Sequence, residues 1–380
     1  MMNRFLYFHR GEKASMGFTC GIIGLPNVGK STLFNAIATA SAHVANYPFC
    51  TIEPNIGIVQ VPDKRLKRLS EIYQSQSIVP TTLEFFDIAG LVKGASTGEG
   101  LGNQFLSHIR TVDAIAHVVR CFDDENIVHV NGDVRPVYDI EIVETELILK
   151  DVETVGKKQT ETEKRIHTGD KKAAIELEFY SILKRELLSG KSARTISCKN
   201  VEEQIWLQNM QLLTAKPMMY ICNVHEKDLS GDIEYIRQVK THAQKERTKV
   251  VIISAEIESE IAQLKEEERQ PFLSELGLKE SGLTKIIHEG YDLLHLQTFF
   301  TTGVKETRAW TAQHGTTAIH AAGKIHSDFE RGFIRAEIIK YNDIDRLGSE
   351  AAIREAGLLH VEGRDYIIRD GDVMFVKFNV

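Results

Sequence analysis

The chain has 380 residues, enough for two to three domains at about 150 residues each. Its 42% hydrophobic and 26% charged composition is that of an ordinary globular protein. With 46 Lys and Arg against 53 Asp and Glu the formal charge is −7, which argues against a charge-driven nucleic-acid coat while leaving a local basic patch open. No apolar run approaches the ~20 residues that cross a bilayer, so a membrane-spanning protein is not expected.

Five cysteines, Cys20, Cys50, Cys121, Cys198 and Cys222, show neither CxxC nor CxH spacing. A zinc site is not expected, and the sparse, odd count reads as small buried thiols in a reducing cytoplasm. At the N-terminus, one arginine and a four-residue apolar stretch at 5–8 are too short for a secretory signal. Met16 stands just before the first strong strand, so residues 1–15 are expected to be an unstructured extension or the result of an upstream start, outside the fold.

Residues 18–23 (FTCGII) are a β-rich run leading into Gly24-Leu25-Pro26-Asn27-Val28-Gly29-Lys30-Ser31, and 32–40 reads as a helix. Short strands are predicted at 56–61, 83–88, 114–120, 218–223 and 250–254, alternating with helical segments. That is the pattern of a parallel sheet covered on both faces. The alternation breaks over 139–210, where apolar spacing predicts two long amphipathic helices joined by a charged tip. Between 157 and 172 this tip holds six basic residues against three acidic ones. It is either a solvated helical face or a basic contact surface. After a Glu/Gln-rich segment at 256–270 and a helix near 283–296, strands are predicted at 307–312, 333–339, 366–369 and 373–378. A turn at 370–372 and a short helix at 317–322 complete a small α+β module.

Residues 24–31 satisfy GxxxxGK[ST] between a predicted strand and a predicted helix, the context in which that pattern cradles phosphates. Glycines let main-chain N–H groups converge on phosphate oxygens, and the helix N-terminus adds its dipole. Lys30 would reach the β- and γ-phosphates and Ser31 would hold Mg²⁺. The strand 83–87 ends in Asp87, followed by Ile88-Ala89-Gly90, a DxxG arrangement in which Asp87 orients the Mg²⁺ shell and the Gly90 N–H meets the γ-phosphate. Thr51, in a Pro-punctuated segment, reads as a switch threonine sensing γ-phosphate and Mg²⁺, with a plain structural threonine as the alternative. The glycine-rich stretch 91–102 reads as a mobile loop. Leu91 stands where many switch GTPases carry the glutamine that positions water, so hydrolysis needs another group or is intrinsically slow.

Asn223-Val224-His225-Glu226 follows a strand where a guanine-specific protein would carry NKxD. Val224 removes the lysine whose stem packs on the purine, and Glu226 is one methylene longer than the guanine-binding Asp. Losing that bidentate acceptor predicts lost guanine preference, with adenine accepted. Ser254-Ala255-Glu256 occupies the position of a last base-contacting loop.

Together GLPNVGKST, YPFCTIEPN, DIAGLVKGASTGEGLGNQFL, NVHE, SAE and a C-terminal half running from LQTFFTTGVKETRAW to DYIIRDGDVMFVKFNV resemble the Obg-like ATPases, the YchF subfamily of Obg-type P-loop proteins. The resemblance spans 16–380. It implies an α/β P-loop NTPase domain with a mostly parallel sheet at 18–271, an inserted α-helical coiled-coil hairpin at 139–210, and a C-terminal TGS-like β-grasp α+β domain at 295–378. It further implies an ATP-preferring hydrolase that associates with ribosomes, through the large subunit or ribosomal RNA, in translation or stress responses. No DNA specificity and no membrane are expected. Carried onto matching positions, Asn27, Val28, Gly29, Lys30, Ser31 and Thr32 bind phosphates, Ser31 and Thr51 ligate Mg²⁺, and Asn223, Val224 and Glu226 surround the base. Asn27 stands where related proteins with a hydrophobic residue after DxxG hold K⁺, which would compensate for Leu91. His129, after the charged loop 123–126, is favoured by the resemblance as the water-positioning group, ahead of His108 and His117.

Two further readings stay open: a ribosome-binding module gated by nucleotide with incidental hydrolysis, and a small-molecule P-loop kinase, which the missing Arg-rich lid disfavours. In the C-terminal module Arg308, Trp310, Arg331, Phe333 and Arg335 interleave basic and aromatic groups. That pattern suits RNA stacking, or equally an ordinary strand with aromatics inside and arginines in solvent.

Overall fold

The computed structural model describes residues 18–42, 55–88, 101–127 and 132–379. The expected extension 1–15, the switch residue Thr51, Gly90, His129 and most of the glycine-rich stretch lie outside them. The described strands are β1 Thr19–Ile23, β2 Ile56–Gln60, β3 Ser77–Val79, β4 Thr82–Asp87, β5 Ala114–Arg120, β6 Met218–Asn223, β7 Lys249–Ile253, β8 Leu296–Thr301, β9 Glu306–Gln313, β10 Phe333–Lys340, β11 His360–Glu362 and β12 Asp372–Phe378. They form two sheets, and the described residues divide into two compact units, 19–59 with 83–294 and 60–82 with 295–379.

In the first unit the strand order is β2-β4-β1-β5-β6-β7, with β4, β1, β5, β6 and β7 paired in parallel. Every residue of β5 (AIAHVVR) and of β6 (MMYICN) is buried, as expected for central parallel strands covered on both faces. Helix α1 (Lys30–Ala42) leaves the first loop and buries Leu33, Ala36 and Ile37, an i, i+3, i+4 stripe. Parallel pairing brings the carboxyl ends of all these strands to one edge, where α/β sheets bind ligands.

The predicted helical hairpin is present. In chain order, α2 (Lys64–Tyr73) belongs to the other unit, α3 (Leu101–Thr111) precedes β5, and α4 (Pro136–His167) and α5 (Lys171–Leu188) form the two arms. Pro136 opens α4 at its first turn, with Asp139 nearby and Lys164, Arg165 and His167 in the last turn, the charge order that complements a helix dipole. At the tip Asp170 caps α5 by accepting from the Lys172 and Ala173 amides, and Arg165 pairs with both Asp170 and Glu176. Ile148, Val155, Phe179, Tyr180, Leu183 and Leu187 zip the arms together, with α6 (Val201–Asn209) supplying Trp206. Asp151, fully buried on α4, accepts from the Leu213 and Thr214 amides at 2.7 and 2.8 Å and from the Thr214 hydroxyl at 2.6 Å, tying the exit of the insertion to its entry.

A buried polar cluster joins the root of this arm to the sheet. Glu144 of α4 takes the Tyr220 hydroxyl at 2.8 Å and pairs with Arg194, and Arg194 also reaches Glu246 of α7 (Glu234–Glu246). His242 lies 3.9 Å from Glu144. Burial raises the Glu144 carboxyl, but His242, Arg194 and Tyr220 outweigh it and hold it at about 2. His117 of β5 is buried edge-on against Tyr220, and burial lowers it to about 4. The unit closes with α8 (Ala255–Gln263), α9 (Glu266–Glu275) and α10 (Gly282–Leu293). Glu258 accepts from the Gly282 and Leu283 amides, satisfying donors at the start of α10.

The second unit holds a mixed sheet of order β11-β10-β12-β8-β9-β3. The hairpin β8–β9 and the last strand β12, parallel to β8, are the centre of a β-grasp, with helix α11 (Ala318–Ile325) against one face. Neighbouring residues on each strand face opposite ways: Phe299, Ile338 and Met374 pack with α11, while Phe300, Ile339 and Val373 pack on the other side. That other side is covered by α2, through Leu66 and Leu69, and by α13 (Tyr341–Leu347) and α14 (Glu350–Glu355), which follow the short α12 (Ser327–Arg331). Strand β3 extends the sheet by parallel pairing with β9.

Three expectations are corrected here. Residues 60–82, expected within the 18–271 domain, complete the C-terminal unit because α2 and β3 bury their apolar face there. The helix expected at 283–296 ends at Leu293, and β8 was not anticipated. The strand expected at 366–369 is absent: Ile367 makes only an isolated bridge to Thr317, and Tyr366 turns its hydroxyl to the Lys340–Asp372 pair. Of the two readings left open for the C-terminal aromatics, burial fits the strand one: Phe333 is in the core, and Trp310 is partly buried with its indole N–H donating to Thr301.

Among the described residues no helix is long and apolar enough to cross a membrane. Cys20, Cys121 and Cys222 are buried free thiols and Cys198 is half-buried; burial pushes Cys20 up to about 12.

Candidate nucleotide site

Five segments that the sequence singles out, as far as they lie within the described residues, meet at the carboxyl ends of β1, β4, β5, β6 and β7. The loop after β1 turns on two left-handed residues, Asn27 at φ 63° and Gly29 at φ 90°. Asn tolerates this region and glycine occupies it freely. At Gly29 the need for glycine is double, because a Cβ there would lie 2.1 Å from Nδ2 of Asn223. Val28 is buried beneath the loop while Ser31 and Thr32 are exposed at the start of α1. The Leu33 amide donates to the Gly29 carbonyl at 3.0 Å, so the helix begins directly from the loop.

Lys30 and Asp87, far apart in sequence, form an ion pair between the first turn of α1 and the end of β4. Both are largely screened from solvent, at 11% and 19% exposure of their side chains. A lysine ammonium beside a strand-end carboxylate suits a site for a polyphosphate and a divalent cation.

Asn223 is 4% exposed, and both ends of its side-chain amide are hydrogen-bonded. Its amide donates to the Val28 carbonyl at 3.0 Å, and its side-chain oxygen accepts from the Ala255 amide at 2.9 Å. Val224 is buried, and its amide donates to the Ile253 carbonyl at 2.9 Å. Glu226 is exposed at the start of a short 3₁₀ turn, at the mouth of the site. Ser254 caps α8, which starts at Ala255 and packs along α1. The segment 223–226 and the pair Ser254 and Ala255 therefore stand beside the phosphate loop as one wall. A left-handed glycine loop running directly into a helix N-terminus and a Lys–Asp pair are what a nucleotide with Mg²⁺ needs, so the residues present fit that group.

The loop after β5 lies beside this wall, the Cys121 amide donating to the Asn223 carbonyl at 2.8 Å; in the sequence it stands only as the charged approach to His129. Arg120 ends β5 at 2% exposure. Its guanidinium donates to the carbonyls of Phe122 and Ile127 at 3.0 Å each and of Asp124 at 3.3 Å, and lies 4.7 Å from the Phe122 ring centre. The signal was present in the sequence as a charged residue closing an otherwise apolar buried strand. His108 sits in the last turn of α3 and His117 lies in the sheet core, away from this edge.

Comparison with known proteins identifies the family. A family model described as "50S ribosome-binding GTPase" matches residues 19–168, and the YchF GTPase C-terminal model, described as a protein of unknown function, matches 296–379. The "Ribosome-binding ATPase YchF" of Bacillus subtilis (strain 168) is 53% identical over 368 residues, covering 96% of this chain and 100% of that protein. Its namesake in Escherichia coli O157:H7 is 52% identical over 365 residues, with the same coverage. Among solved structures, the YchF GTPase of Schizosaccharomyces pombe has a TM-score of 0.86 at 39% identity, covering 98% of this chain and 100% of that one. With that identity sustained over the whole length of its relatives, and the phosphate loop, helical insertion and β-grasp unit all in place, the chain belongs to the YchF family.

Proposed function

We propose that this protein is an Mg²⁺-dependent ATPase, preferring ATP to GTP, that acts as a nucleotide-controlled switch on ribosomes in the cytoplasm, in translation or stress regulation. The observation that carries the reading is the convergence at one sheet edge of the 24–31 loop, the Lys30–Asp87 pair and the 223–226 wall locked by Asn223.

In this reading the main-chain amides of 27–32 and the N-terminus of α1 hold the phosphates, and Lys30 neutralises charge developing on the β–γ bridge. Ser31 and Thr51 would hold Mg²⁺, with Asp87 orienting its water shell. When bound, Mg²⁺ supplies charge neutralisation at the β- and γ-phosphates. The Gly90 N–H meets the γ-phosphate. Asn27 would assist K⁺ at the phosphates, and His129 would position the attacking water in place of a glutamine at Leu91. Val224 offers an apolar surface to the purine, and Ser254 and Ala255 close the far side. Glu226 replaces the aspartate that guanine recognition demands. The names of the relatives support ribosome binding and divide between ATPase and GTPase, so the base is the point to test. The large subunit and its RNA are the proposed docking partner.

The test is calorimetric binding of non-hydrolysable ATP and GTP analogues with Mg²⁺ and K⁺. Tighter ATP binding upholds the reading; tighter GTP binding makes the protein a GTP-specific translational switch with an altered base loop. A second reading, a ribosome-binding module in which hydrolysis is incidental, is favoured by Leu91. Stimulation of phosphate release by ribosomes would exclude it. His129→Ala should slow turnover while leaving ATP affinity unchanged, and normal turnover would remove His129 from the mechanism.

A further inference from the structure

The loop following β5 is built around one cation and is fastened to the base wall. Three main-chain carbonyls, those of Phe122, Asp124 and Ile127, point inward at the buried Arg120 guanidinium. Such convergence of acceptors is costly without a multi-pronged donor, and the planar fork of arginine supplies one where lysine would offer a single point. Within the same stretch the carbonyl of Asp123 meets Nε2 of His225 at 3.0 Å instead. Phe122 touches both partners: its ring centre is 4.7 Å from the Arg120 guanidinium and 4.9 Å from the His225 ring centre. The Asp123 carboxylate accepts from the Tyr235 hydroxyl at 3.0 and 3.2 Å, fixing the loop from a third direction.

His225 stands between Val224 and Glu226. Its neighbour on one side is anchored to β7 through the Val224 amide, while Glu226 is exposed and starts a single 3₁₀ turn. The ring of His225 is therefore the side-chain tether that determines where Glu226 stands. A polar group that reads a base edge discriminates only if it is held in place before the base arrives, since ordering it on binding takes away part of the gain.

We propose that Arg120 and His225 are positioning residues for base selection, acting as one brace through Phe122 and Asp123 on the segment Val224–Glu226. This rests on the reading of that segment as base-contacting.

The experiment measures, on the full chain with Mg²⁺, affinities for non-hydrolysable ATP and GTP analogues and for tripolyphosphate as a probe lacking the base. His225→Ala should change the ATP-to-GTP affinity ratio by about tenfold relative to the wild type, the scale on which a displaced polar partner acts in a specificity pocket. Tripolyphosphate binding should stay unchanged. His225→Gln, which keeps an N–H donor at similar reach, should restore the ratio. Arg120→Lys should shift the ratio in the same direction, and the double variant should be no worse than the larger single. An unchanged ratio in His225→Ala overturns the proposal. So do equal losses for all three ligands, which mean a general structural role, and independent, multiplying effects of the two substitutions. His225 is half-buried, so the test stands even if Arg120→Lys fails to fold. Because every ratio is referred to the wild type, a GTP-preferring wild type would defeat the ATP reading without deciding the brace.

Discussion

The side-chain amide of Asn223 donates to the main-chain carbonyl of Val28 at 3.0 Å across 195 positions of sequence. Through the other end of the same side chain, which takes the Ala255 amide, one residue joins the loops after β1, β6 and β7. The loops proposed to hold the phosphates and the base are thus joined through a single buried side chain.

Gly29→Ala should be among the most damaging substitutions at the site. The added Cβ falls 2.1 Å from Asn223 Nδ2, and φ of 90° is strained for any side chain. Asn223→Ala, which leaves the Val28 carbonyl and the Ala255 amide without their partner, should cost about 3 kcal/mol in urea unfolding. Both variants should lose ATP binding; full binding in either would break the link drawn between these loops.

Lys30→Met should lower phosphate release at least ~100-fold, the usual scale for removing a donor aimed at transition-state charge. Asp87→Asn should do likewise, since it removes the other member of the pair. Steady-state phosphate release at saturating ATP is the measurement, and a loss under about threefold in both variants would argue against a role for the pair in the reaction.

Leu69→Ala tests the division of the chain. Leu69 lies well before β4 in sequence, yet it is fully buried with Phe300, Ile339 and Val373. The truncation should cost about 3 kcal/mol. The chain has two tryptophans, Trp206 and Trp310. In a Trp206→Phe background the fluorescence of Trp310 should report a lower unfolding midpoint, and an unshifted one would mean that α2 does not support the C-terminal sheet.

Stability should fall in acid, in two stages. His117 is lowered to about 4 from an ordinary value of 6.5, chiefly by burial, so the unfolded chain takes up its proton first as pH drops. The stabilisation present above pH 6.5 is lost as pH falls towards 4, and at most about 3 kcal/mol is at stake. Glu144, held at about 2 against an ordinary 4.5, adds a second loss between those values. His117→Phe should flatten the profile between pH 6.5 and 4 in urea titrations and leave the lower limb; an unaltered slope would exclude His117 as its source.

The central strands were legible because buried parallel strands are short continuous apolar runs, as AIAHVV in β5 shows. The helical insertion was legible because apolar residues recur at helical spacing along α4 and α5. Strand β8 (LQTFFT) was not: its neighbours Phe299 and Phe300 are both buried on opposite faces, so it carries no alternation to separate it from the end of α10. Residues 24–31 and Asp87 stand out because phosphate chemistry restricts their spacing, and Asn223 because it opens NVHE after a strand, where a base-contacting motif is expected. Arg120, Phe122 and Tyr235 follow no such spacing and become meaningful only through their contacts.

By itself, the sequence determined the phosphate loop, the order of the central strands' chemistry and the family, since local backbone demands and residue spacing are written in consecutive positions. Only the tertiary structure decided that 60–82 completes the C-terminal sheet, that Asn223 locks Val28 to Ala255, and that Arg120 gathers the loop which holds His225. Each of these depends on burial and hydrogen-bond partners supplied by distant segments. Such pairings arise when packing removes water from polar and apolar groups together, and no local pattern records which distant group will be the partner.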